Sequence, residues 1–355
     1  MKRNPLNILA LTCDDLVDEF HQRYGKGKYQ AAGLYKALYR HGNTELSKVE
    51  ELASSPALVE RLRRDLSFGL SPVVEQQHDD GLMKFATRLA DGLEIESVII
   101  PMGNRRTLCI SCQVGCRMGC VFCETAKQGF HRNLTVEEIV GQVVQAKVIW
   151  GVPVRNIVFM GMGEPLDNLD NVIKAIEIIS DQRGLDIARR HITVSTAAIP
   201  DGLDRLAQLH WTHLKIAISL NAPNDRIRSQ LMPINRIYPM EMIRKTLLAF
   251  SPENRSAFFI EYVLIKDVND APGHADQLAS FLEPLNVKVN IIPINPGSDA
   301  SDTPFVRPSD ADVARFCDRL VHHKVFVRKR PGKGMNLMAA CGQLGNRGTG
   351  EEATR

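Results

Sequence analysis

The central part of the chain alternates between short apolar runs and longer segments in which apolar residues follow helical spacing. The apolar runs have the length and composition of β-strands and lie at residues 107–112, 156–160, 191–195, 214–220, 258–265 and 288–294. The helical segments lie at residues 136–150, 169–181, 202–210, 240–249, 273–282 and 310–322. Six consecutive strand–helix pairs predict an α/β fold built on a parallel barrel, or part of one, rather than an antiparallel sandwich.

The two ends of the chain follow other patterns. Residues 1–80 predict short helices, since Ala31, Leu34 and Leu38 fall on one helical face. Polar and apolar residues alternate from Glu94 onward, which is typical of a half-buried strand. We therefore divide the chain into a small helical N-terminal domain (1–80), a linker with strand (81–94), the barrel (95–327) and a C-terminal segment (328–355).

Composition bounds the class of protein. Hydrophobic residues make up 44% of the 355 residues, enough for a large core. No segment approaches the roughly 20 apolar residues of a membrane helix. Residues 6–13 superficially resemble a lipoprotein signal, but Asn7 interrupts the short apolar run and two aspartates follow it. We therefore expect a cytoplasmic protein with reduced thiols and no membrane partner.

The formal charge of +3 says less than the distribution of the basic residues. They cluster at Arg61, Arg63 and Arg64, at Arg105 and Arg106, and at Arg328, Lys329, Arg330 and Lys333. Clustered arginine and lysine suit a phosphate-bearing partner such as a nucleic acid. A solvated surface with scattered charges is an equally good reading of any one cluster.

Five of the eight cysteines lie between residues 109 and 123. Cys116, Cys120 and Cys123 form C-x3-C-x2-C, which offers three thiolates on one loop, one donor short of a closed zinc or iron–sulfur site. Three cysteines leave one iron of a 4Fe-4S cluster open to a substrate. This spacing is the radical-SAM signature, in which the open iron chelates S-adenosylmethionine (SAM).

Two other readings of the cysteines stay open. Cys109 and Cys112, together with Cys120 and Cys123, form two C-x2-C pairs that can clamp one zinc ion. The seven residues between these pairs are fewer than the twelve or so usual in zinc modules. Buried, inert thiols are the other reading, whereas a disulfide scaffold does not suit a chain of this length.

Small and polar residues follow the predicted strands. Gly161, Gly163 and Glu164 come after the second strand, and glycines allow a ligand to approach the backbone closely. The later strands are followed by Ser195 and Thr196, by Ser219, Leu220 and Asn221, and by Asn295. Because the carboxyl ends of parallel strands meet at one rim, these residues together predict a ligand site.

The sequence resembles the RlmN/Cfr family of radical-SAM RNA methyltransferases from about residue 25 to residue 345. The resemblance rests on four motifs: the cysteine loop from Cys109 to Cys123, the following Thr-Ala-x-Gln-Gly-Phe-x-Arg-Asn-Leu, Gly-Met-Gly-Glu-Pro-Leu at 161–166, and Ala-Ala-Cys-Gly-Gln-Leu around Cys341. The last motif is diagnostic, because a general radical-SAM enzyme has no use for a cysteine near the C-terminus.

The resemblance implies a role for each matching residue. Cys341 is the cysteine that becomes methylated, Cys109 forms a transient disulfide with it, and Glu96 accepts a proton. The implied cluster ligands are Cys116, Cys120 and Cys123, and the implied SAM contacts are Gly163, Glu164, Ser195, Ser219, Leu220, Asn221 and Asn295.

The resemblance also implies the architecture and the reaction. The fold is a partial (β/α)6 radical-SAM barrel with a small N-terminal helical domain and a mobile C-terminal tail. The reaction methylates carbon 2 or carbon 8 of an adenosine in RNA, with ribosomal RNA as the main candidate and tRNA as another. It needs one 4Fe-4S cluster, two SAM molecules per turnover and an electron donor such as flavodoxin or ferredoxin. We expect a monomer.

The chain departs from the family pattern at three places. Asn221 stands where the family has histidine, and Cys112 where it has serine. The approach to Cys341 contains Asn336 where the family favours an aspartate. Two alternatives to the main reading stay open: a radical-SAM enzyme with a substrate other than RNA, and a zinc-bearing RNA-binding protein without catalysis.

Overall fold

The computed structural model describes residues 5–250, 257–295, 305–330, 332 and 334–345. Lys333, one of the predicted basic residues, and the loose tail predicted from Asn346 onward lie outside the described residues.

The strands of the described chain are β1 (Leu6–Asn7), β2 (Leu66–Ser67), β3 (Val73–Asp79), β4 (Leu82–Arg88), β5 (Glu94–Met102), β6 (Arg105–Cys109), β7 (Gln113–Gly115), β8 (Phe130–Asn133), β9 (Val154–Phe159), β10 (Ile192–Thr196), β11 (Lys215–Ser219), β12 (Phe258–Leu264), β13 (Val287–Pro293) and β14 (Val327–Lys329). The α-helices are α1 (Cys13–Tyr24), α2 (Lys28–His41), α3 (Pro56–Asp65), α4 (Glu124–Lys127), α5 (Val136–Val144), α6 (Leu169–Ser180), α7 (Pro200–Gln208), α8 (Asp225–Leu231), α9 (Met240–Ala249), α10 (Pro272–Leu282) and α11 (Asp310–His322).

A ten-stranded sheet organises the described residues, in the order β14-β13-β12-β11-β10-β9-β6-β5-β4-β3. Strands β6 and β9 to β14 run parallel, whereas β3, β4 and β5 extend the sheet in antiparallel fashion. The predicted α/β fold with a partial parallel barrel is confirmed. The structure adds a seventh parallel strand, β14, which is too short to show an alternating pattern in the sequence.

The sheet begins earlier in the chain than the sequence predicts. Strand β3 lies within the segment 1–80 that predicted only helices, and β4 lies within the predicted linker at 81–94. Polar residues such as Glu75, Gln76 and Gln77 fill β3, because it is the exposed edge strand of the sheet. An edge strand with few apolar residues gives no strand pattern in the sequence.

The N-terminal helices pack against the loop that precedes β10. In this loop Arg183 forms an ion pair with Asp14 of α1 at 2.6 Å, and Gln182 accepts a hydrogen bond from Arg40 of α2. The buried rings of Tyr35 and Tyr39 also lie against this loop, near Gly184. This loop enters a parallel strand, so the N-terminal helices lie near the amino end of the barrel.

Apolar side chains form two separate clusters. The larger one spans the sheet, its helices and the N-terminal helices. The smaller one lies beside the cysteine loop and includes Met118, Ile227, Leu231, Met232 and Ile294. No helix in the part of the chain that the structure describes is long and apolar enough to cross a membrane.

Candidate active site

The cysteine loop leaves the barrel directly after β6. A tight turn positions it: Gly115 has φ +73°, and a Cβ there would lie 1.8 Å from the carbonyl oxygen of Gly129. The Cys116 amide donates to that carbonyl at 2.9 Å, and the Cys123 amide donates to the carbonyl of Cys120 at 3.1 Å. Only glycine fits this position. The turn that it allows lets the loop fold back over the carboxyl ends of the strands.

The three loop cysteines face one cavity of about 170 Å³. It is lined by most of the predicted SAM contacts together with the distant tail cysteine: Gly163, Glu164, Ser195, Ser219, Asn221, Asn295 and Cys341. These residues come from six separate stretches of chain. The parallel register brings them together, since all of them follow or end strands at the same edge of the sheet.

Leu220 is the one predicted SAM contact whose side chain does not line the cavity. Ser219 and Asn221 on either side of it do, while Leu220 is fully buried in the larger apolar cluster. Strand β11 ends at Ser219 and Asn221 has a left-handed φ of +58°, so the chain turns at Leu220 and its side chain enters the apolar cluster. Its carbonyl accepts a hydrogen bond from the buried Arg228 guanidinium at 3.2 Å.

Glu164 is a buried carboxylate at the cavity wall. Its two oxygens accept from the amides of Leu166 at 3.0 Å and Ala197 at 2.7 Å. Burial nevertheless raises its pKa to about 7. The preceding Gly163 has φ +102°, and a Cβ there would lie 2.5 Å from the side chain of Gln113. The carboxylate is therefore held rigidly, and a cationic ligand group would favour its charged form.

The backbone conformation at residue 221 favours asparagine. Its φ of +58° lies in the left-handed region, which asparagine tolerates better than most residues. Its side-chain oxygen accepts from the Val263 amide at 2.9 Å, and its nitrogen contacts the sulfur of Met232 at 3.3 Å. Adjacent strand β12 thus fixes the amide at the cavity edge.

Cys341 and Cys109 approach each other although 231 residues separate them in the sequence. Cys341 is exposed and lines the cavity, whereas Cys109 is buried at the end of β6. Burial raises the pKa of Cys109 to about 12, and the neighbouring Cys341 thiol adds to the effect. Burial also raises the pKa of Cys341, while the charge of Arg330 opposes it.

The sequence analysis missed two charged residues beside these thiols. Arg330 lines the cavity and pairs with Glu261 at 3.4 Å, and Glu261 accepts a hydrogen bond from Asn290 at 2.8 Å. Arg330 was predicted only as a phosphate contact. A signal for Glu261 was available, since it is the one charged residue inside the apolar run of β12.

Glu96 lies outside this cavity. It borders a second cavity of about 650 Å³, which Glu124, Lys127, His131 and Gly345 also line. Glu96 is buried, pairs with Lys84 at 3.0 Å and accepts from the Gly345 amide at 2.6 Å. The tail borders both cavities, with Cys341 at the first and Gly345 at the second. Lys84 was not predicted, because nothing in the sequence pairs strands β4 and β5.

Sequence and structure comparisons give the family. A profile described as the radical-SAM superfamily matches residues 110–278. The chain is 39% identical to "Dual-specificity RNA methyltransferase RlmN" of Syntrophus aciditrophicus, over 99% of this chain and 100% of that protein. It is 42% identical to the protein of the same name from Geobacter sulfurreducens, over 96% and 92% of the two chains.

A solved structure is similar over nearly the whole length. It is the crystal structure of a radical SAM methyltransferase from Sphaerobacter thermophilus, with a TM-score of 0.88, 35% identity, and coverage of 96% of this chain and 99% of that one. The chain belongs to the RlmN family of radical-SAM proteins.

Membership of the RlmN family implies a 4Fe-4S cluster and SAM, and the donor set fits both. A tetrahedral zinc ion needs its sulfur ligands about 2.3 Å from one centre, whereas cysteines around an iron–sulfur cube bind separate irons. Among the described residues, no three His, Cys, Asp or Glu side chains are placed to hold one metal ion. Cys116, Cys120 and Cys123 offer three thiolates at one cavity, which fits a 4Fe-4S cluster with one open iron.

The basic residues predicted as phosphate contacts differ in their surroundings. Arg132 of β8, a further basic residue near the cysteine loop, is held by two carboxylates, Asp91 at 2.5 Å and Glu138 at 2.8 Å. Arg63 pairs with Glu60 at 2.7 Å, and Arg61 stacks over a tyrosine ring. Residues already engaged by carboxylates are weaker candidates for RNA contacts in this member of the RlmN family.

Proposed function

We propose that this protein methylates carbon 2 or carbon 8 of an adenosine in RNA, through an S-methylcysteine at Cys341 and a transient disulfide with Cys109. The relatives are named as RNA methyltransferases, and we propose ribosomal RNA as the target of this protein and tRNA as a further one. The observation that carries the proposal is the position of Cys341: the tail places this thiol in the cavity of the three loop cysteines.

The target atom explains why two sulfur sites are needed. Ring positions 2 and 8 of adenine are electron-poor carbons, and SAM delivers its methyl group as an electrophile, so direct transfer finds no nucleophile. When bound, the cluster and SAM supply a radical that removes a hydrogen atom from a methyl group held on Cys341. The tail thiol thus turns the methyl carbon into a species that can add to the ring.

The residues of the chain account for the other steps. Cys341, as a thiolate, first attacks the methyl carbon of one SAM and releases S-adenosylhomocysteine, and a second SAM is used later in the same turnover. Addition to the ring links Cys341 covalently to RNA as a radical, which would lose one electron to the cluster while a base removes the ring proton. The Cys109 thiolate attacks the Cys341 sulfur and forms the disulfide; the electron pair of the broken carbon–sulfur bond stays with the transferred carbon, which takes up a proton, and a reductant reopens the disulfide.

The base can be Glu96 or Cys109. Glu96 is paired with Lys84 and the Gly345 amide, so it must exchange partners before it can take a ring proton. Cys109 lies next to Cys341 but has a raised pKa. Both assignments remain part of the proposal.

The remaining parts of the proposal concern roles and partners. Cys116, Cys120 and Cys123 hold the cluster, and the cavity residues named above, with the main chain of Leu220, hold SAM. The target base must leave its stack to reach the barrel mouth. We propose RNA contact by the N-terminal helices, electron supply by flavodoxin or ferredoxin, and action as a monomer in the cytoplasm.

The variant Cys109→Ala tests the disulfide step. Without the attacking thiol the covalent link between Cys341 and RNA cannot resolve, so we expect an enzyme–RNA crosslink on denaturing gels and loss of turnover. Cys112→Ala is the matched control, because Cys112 is equally buried but has Cys116 and not Cys341 as its neighbouring thiol. Unchanged turnover by Cys109→Ala would contradict the mechanism.

RNA analysis tests the reaction itself. Mass spectrometry of nucleosides from cells with and without this protein should show loss of a methyladenosine modified on a ring carbon. Anaerobically purified protein should be brown and contain about four irons per chain. Colourless protein with a single zinc ion and RNA that is the same in both cells would refute the proposal.

A further inference from the structure

Basic residues collect at the amino end of the barrel, opposite the cysteine cavity. They stand at or next to the first residues of the parallel strands β6, β9, β10, β11 and β13. We call them the amino-end basic cluster: Arg105, Arg155, Arg190, His191, Lys215 and Lys288. The known site does not use them, since the residues that line its cavity follow the opposite ends of the same strands.

Strand alternation turns part of this cluster toward the barrel interior. Lys215 lies four residues before Ser219 on β11, and Lys288 lies four residues before Ile292 on β13. Ser219 and Ile292 line the cysteine cavity at the other end. Residues at even spacing on a strand share a face, so both lysines belong to the inward-facing rows.

His191, which directly precedes β10, is linked by hydrogen bonds to side chains on β9 and β6. Its Nδ1 contacts the side-chain oxygen of Asn156 at 3.1 Å, and the Asn156 nitrogen donates to the Thr107 hydroxyl at 3.3 Å. Its Nε2 is buried and has no hydrogen-bond partner, and the same is true of Nε of the neighbouring Arg189. Buried polar atoms without partners are rare, and each of these can donate to an anion when protonated.

The charged groups that act on His191 and Lys215 are positive. The pKa of His191 is lowered by burial and further by Arg155, Arg190, Lys215 and Arg105. Burial and the charge of Lys288 lower the pKa of Lys215. Like charges held together disfavour each other unless a counter-charge binds.

The counter-charge does not come from the described part of the chain. Within residues 5–250, 257–295 and 305–330, no ion pair joins a carboxylate to Arg105, Arg155, Arg190, Lys215 or Lys288. Basic residues elsewhere on the barrel do have carboxylate partners: Arg205 pairs with Asp170 and Arg319 with Asp276. The amino end of the barrel thus carries five basic residues whose charge no carboxylate of the described residues pairs.

We propose that the amino-end basic cluster binds the phosphate backbone of the RNA substrate, away from the base that is modified. This inference rests on the proposed function, since it takes RNA as the substrate. The cluster spans the starts of strands from β6 to β13, a width of about 24 Å at the usual strand spacing. A single phosphate covers a fraction of that width, whereas consecutive nucleotides of a backbone can cover all of it.

The position also suits RNA contacts elsewhere on the chain. The loop before β10 carries Arg190, and the N-terminal helices pack on its first part through Asp14 and Arg40. The cluster is thus continuous with the helices for which we propose an RNA contact. The parallel strands are about 20 Å long, so a structured RNA can reach both the barrel mouth and the amino end.

A triple variant tests the inference. Arg155→Gln, Arg190→Gln and Lys288→Gln remove three exposed charges of the cluster together. We expect its affinity for labelled bulk tRNA and for a labelled fragment of ribosomal RNA to fall by about tenfold or more, measured by fluorescence anisotropy. The slope of log affinity against log salt should become shallower by about two to three, one for each lost phosphate contact.

The matched control removes the same charge from another surface of the barrel. Arg315→Gln, Arg319→Gln and Lys324→Gln alter three exposed basic residues on and just after α11. This control should keep the affinity and salt slope of the unmodified protein. Circular dichroism melting of both variants checks that the fold is retained, as expected for exposed side chains.

The outcomes separate the two proposals. If the protein methylates RNA but both triple variants bind RNA equally well, the cluster does not bind RNA and the proposed function stands. If the cluster variant loses RNA affinity but the protein methylates no RNA, the proposed function fails alone. If inorganic pyrophosphate raises the melting temperature only when the cluster is intact, while RNA affinity is the same in all variants, the cluster is a small-anion site and the inference is overturned.

Discussion

At the scale of single residues, Glu164 shows how the fold prepares a side chain for a ligand. The neighbouring glycine forces it into one direction, and two backbone amides hold its oxygens. Desolvation costs more than these hydrogen bonds return, so the pKa rises to about 7. A buried carboxylate with no cation beside it has the properties expected of a site for the SAM ammonium group.

This raised pKa predicts that SAM binding weakens as pH falls. Glu164 is mostly ionised at pH 8 and mostly protonated at pH 6, and only the ionised form pairs with an ammonium group. With a pKa of about 7 the ionised fraction drops by about tenfold between those values, so SAM affinity should drop similarly. Calorimetric titration of protein loaded with the iron–sulfur cluster measures the SAM affinity at each pH.

The control for this prediction is Glu164→Gln. The amide does not titrate, so its weaker SAM affinity should vary much less between pH 6 and pH 8. Equal pH dependence in the two proteins would mean that another group is responsible.

At the scale of elements, the tail after Cys341 is held by α4 and β5. The amide of Glu124 donates to the Gly342 carbonyl at 2.8 Å, the Thr125 hydroxyl donates to the Leu344 carbonyl at 2.7 Å, and Glu96 accepts from Gly345. These polar contacts, together with the buried side chains of Ala339, Ala340 and Leu344, keep Cys341 in the cavity. Loss of one of the hydrogen bonds should weaken the attachment of the segment.

Thr125→Val should loosen the tail and release Cys341 from the cavity. Valine keeps the shape of the side chain but removes the hydroxyl donor. The Leu344 carbonyl then lacks its hydrogen bond, which should weaken the attachment of the tail by about 1–2 kcal/mol. We expect faster alkylation of Cys341 by iodoacetamide, followed by peptide mass spectrometry. Thr246→Val, which removes an exposed hydroxyl bonded to a helix carbonyl on α9, is the control and should leave the alkylation rate unchanged.

At the scale of the whole molecule, the packing of the fold is nearly independent of the loop that carries the iron–sulfur cysteines. The larger apolar cluster holds the sheet and the helices, whereas Cys116, Cys120 and Phe122 pack only against the smaller one. Cys116 and Cys120 therefore contribute little to the apolar core of the barrel.

We predict that loss of the iron–sulfur cluster does not unfold the protein. The variant with Cys116→Ala, Cys120→Ala and Cys123→Ala should be colourless, should lack SAM cleavage, and should melt within about 5 °C of the unmodified protein prepared without cluster. Circular dichroism and iron analysis measure these properties. Loss of far-UV signal at room temperature would show that the loop is needed for folding.

The sequence by itself determined the features that depend on neighbouring residues. The spacing of the three loop cysteines and the glycines before Glu164 can be read directly, since they act over a few residues. Likewise, the alternation of apolar runs and helical segments determines the α/β class.

Only the tertiary structure decided which distant residues meet. It placed Cys341 beside Cys109, paired Lys84 with Glu96 and Arg330 with Glu261, and joined β3 and β4 to the main sheet. It also gathered the basic residues of five strands at one end of the barrel. Such contacts depend on the path of the whole chain and on strand register, and local patterns of polarity carry no information about either.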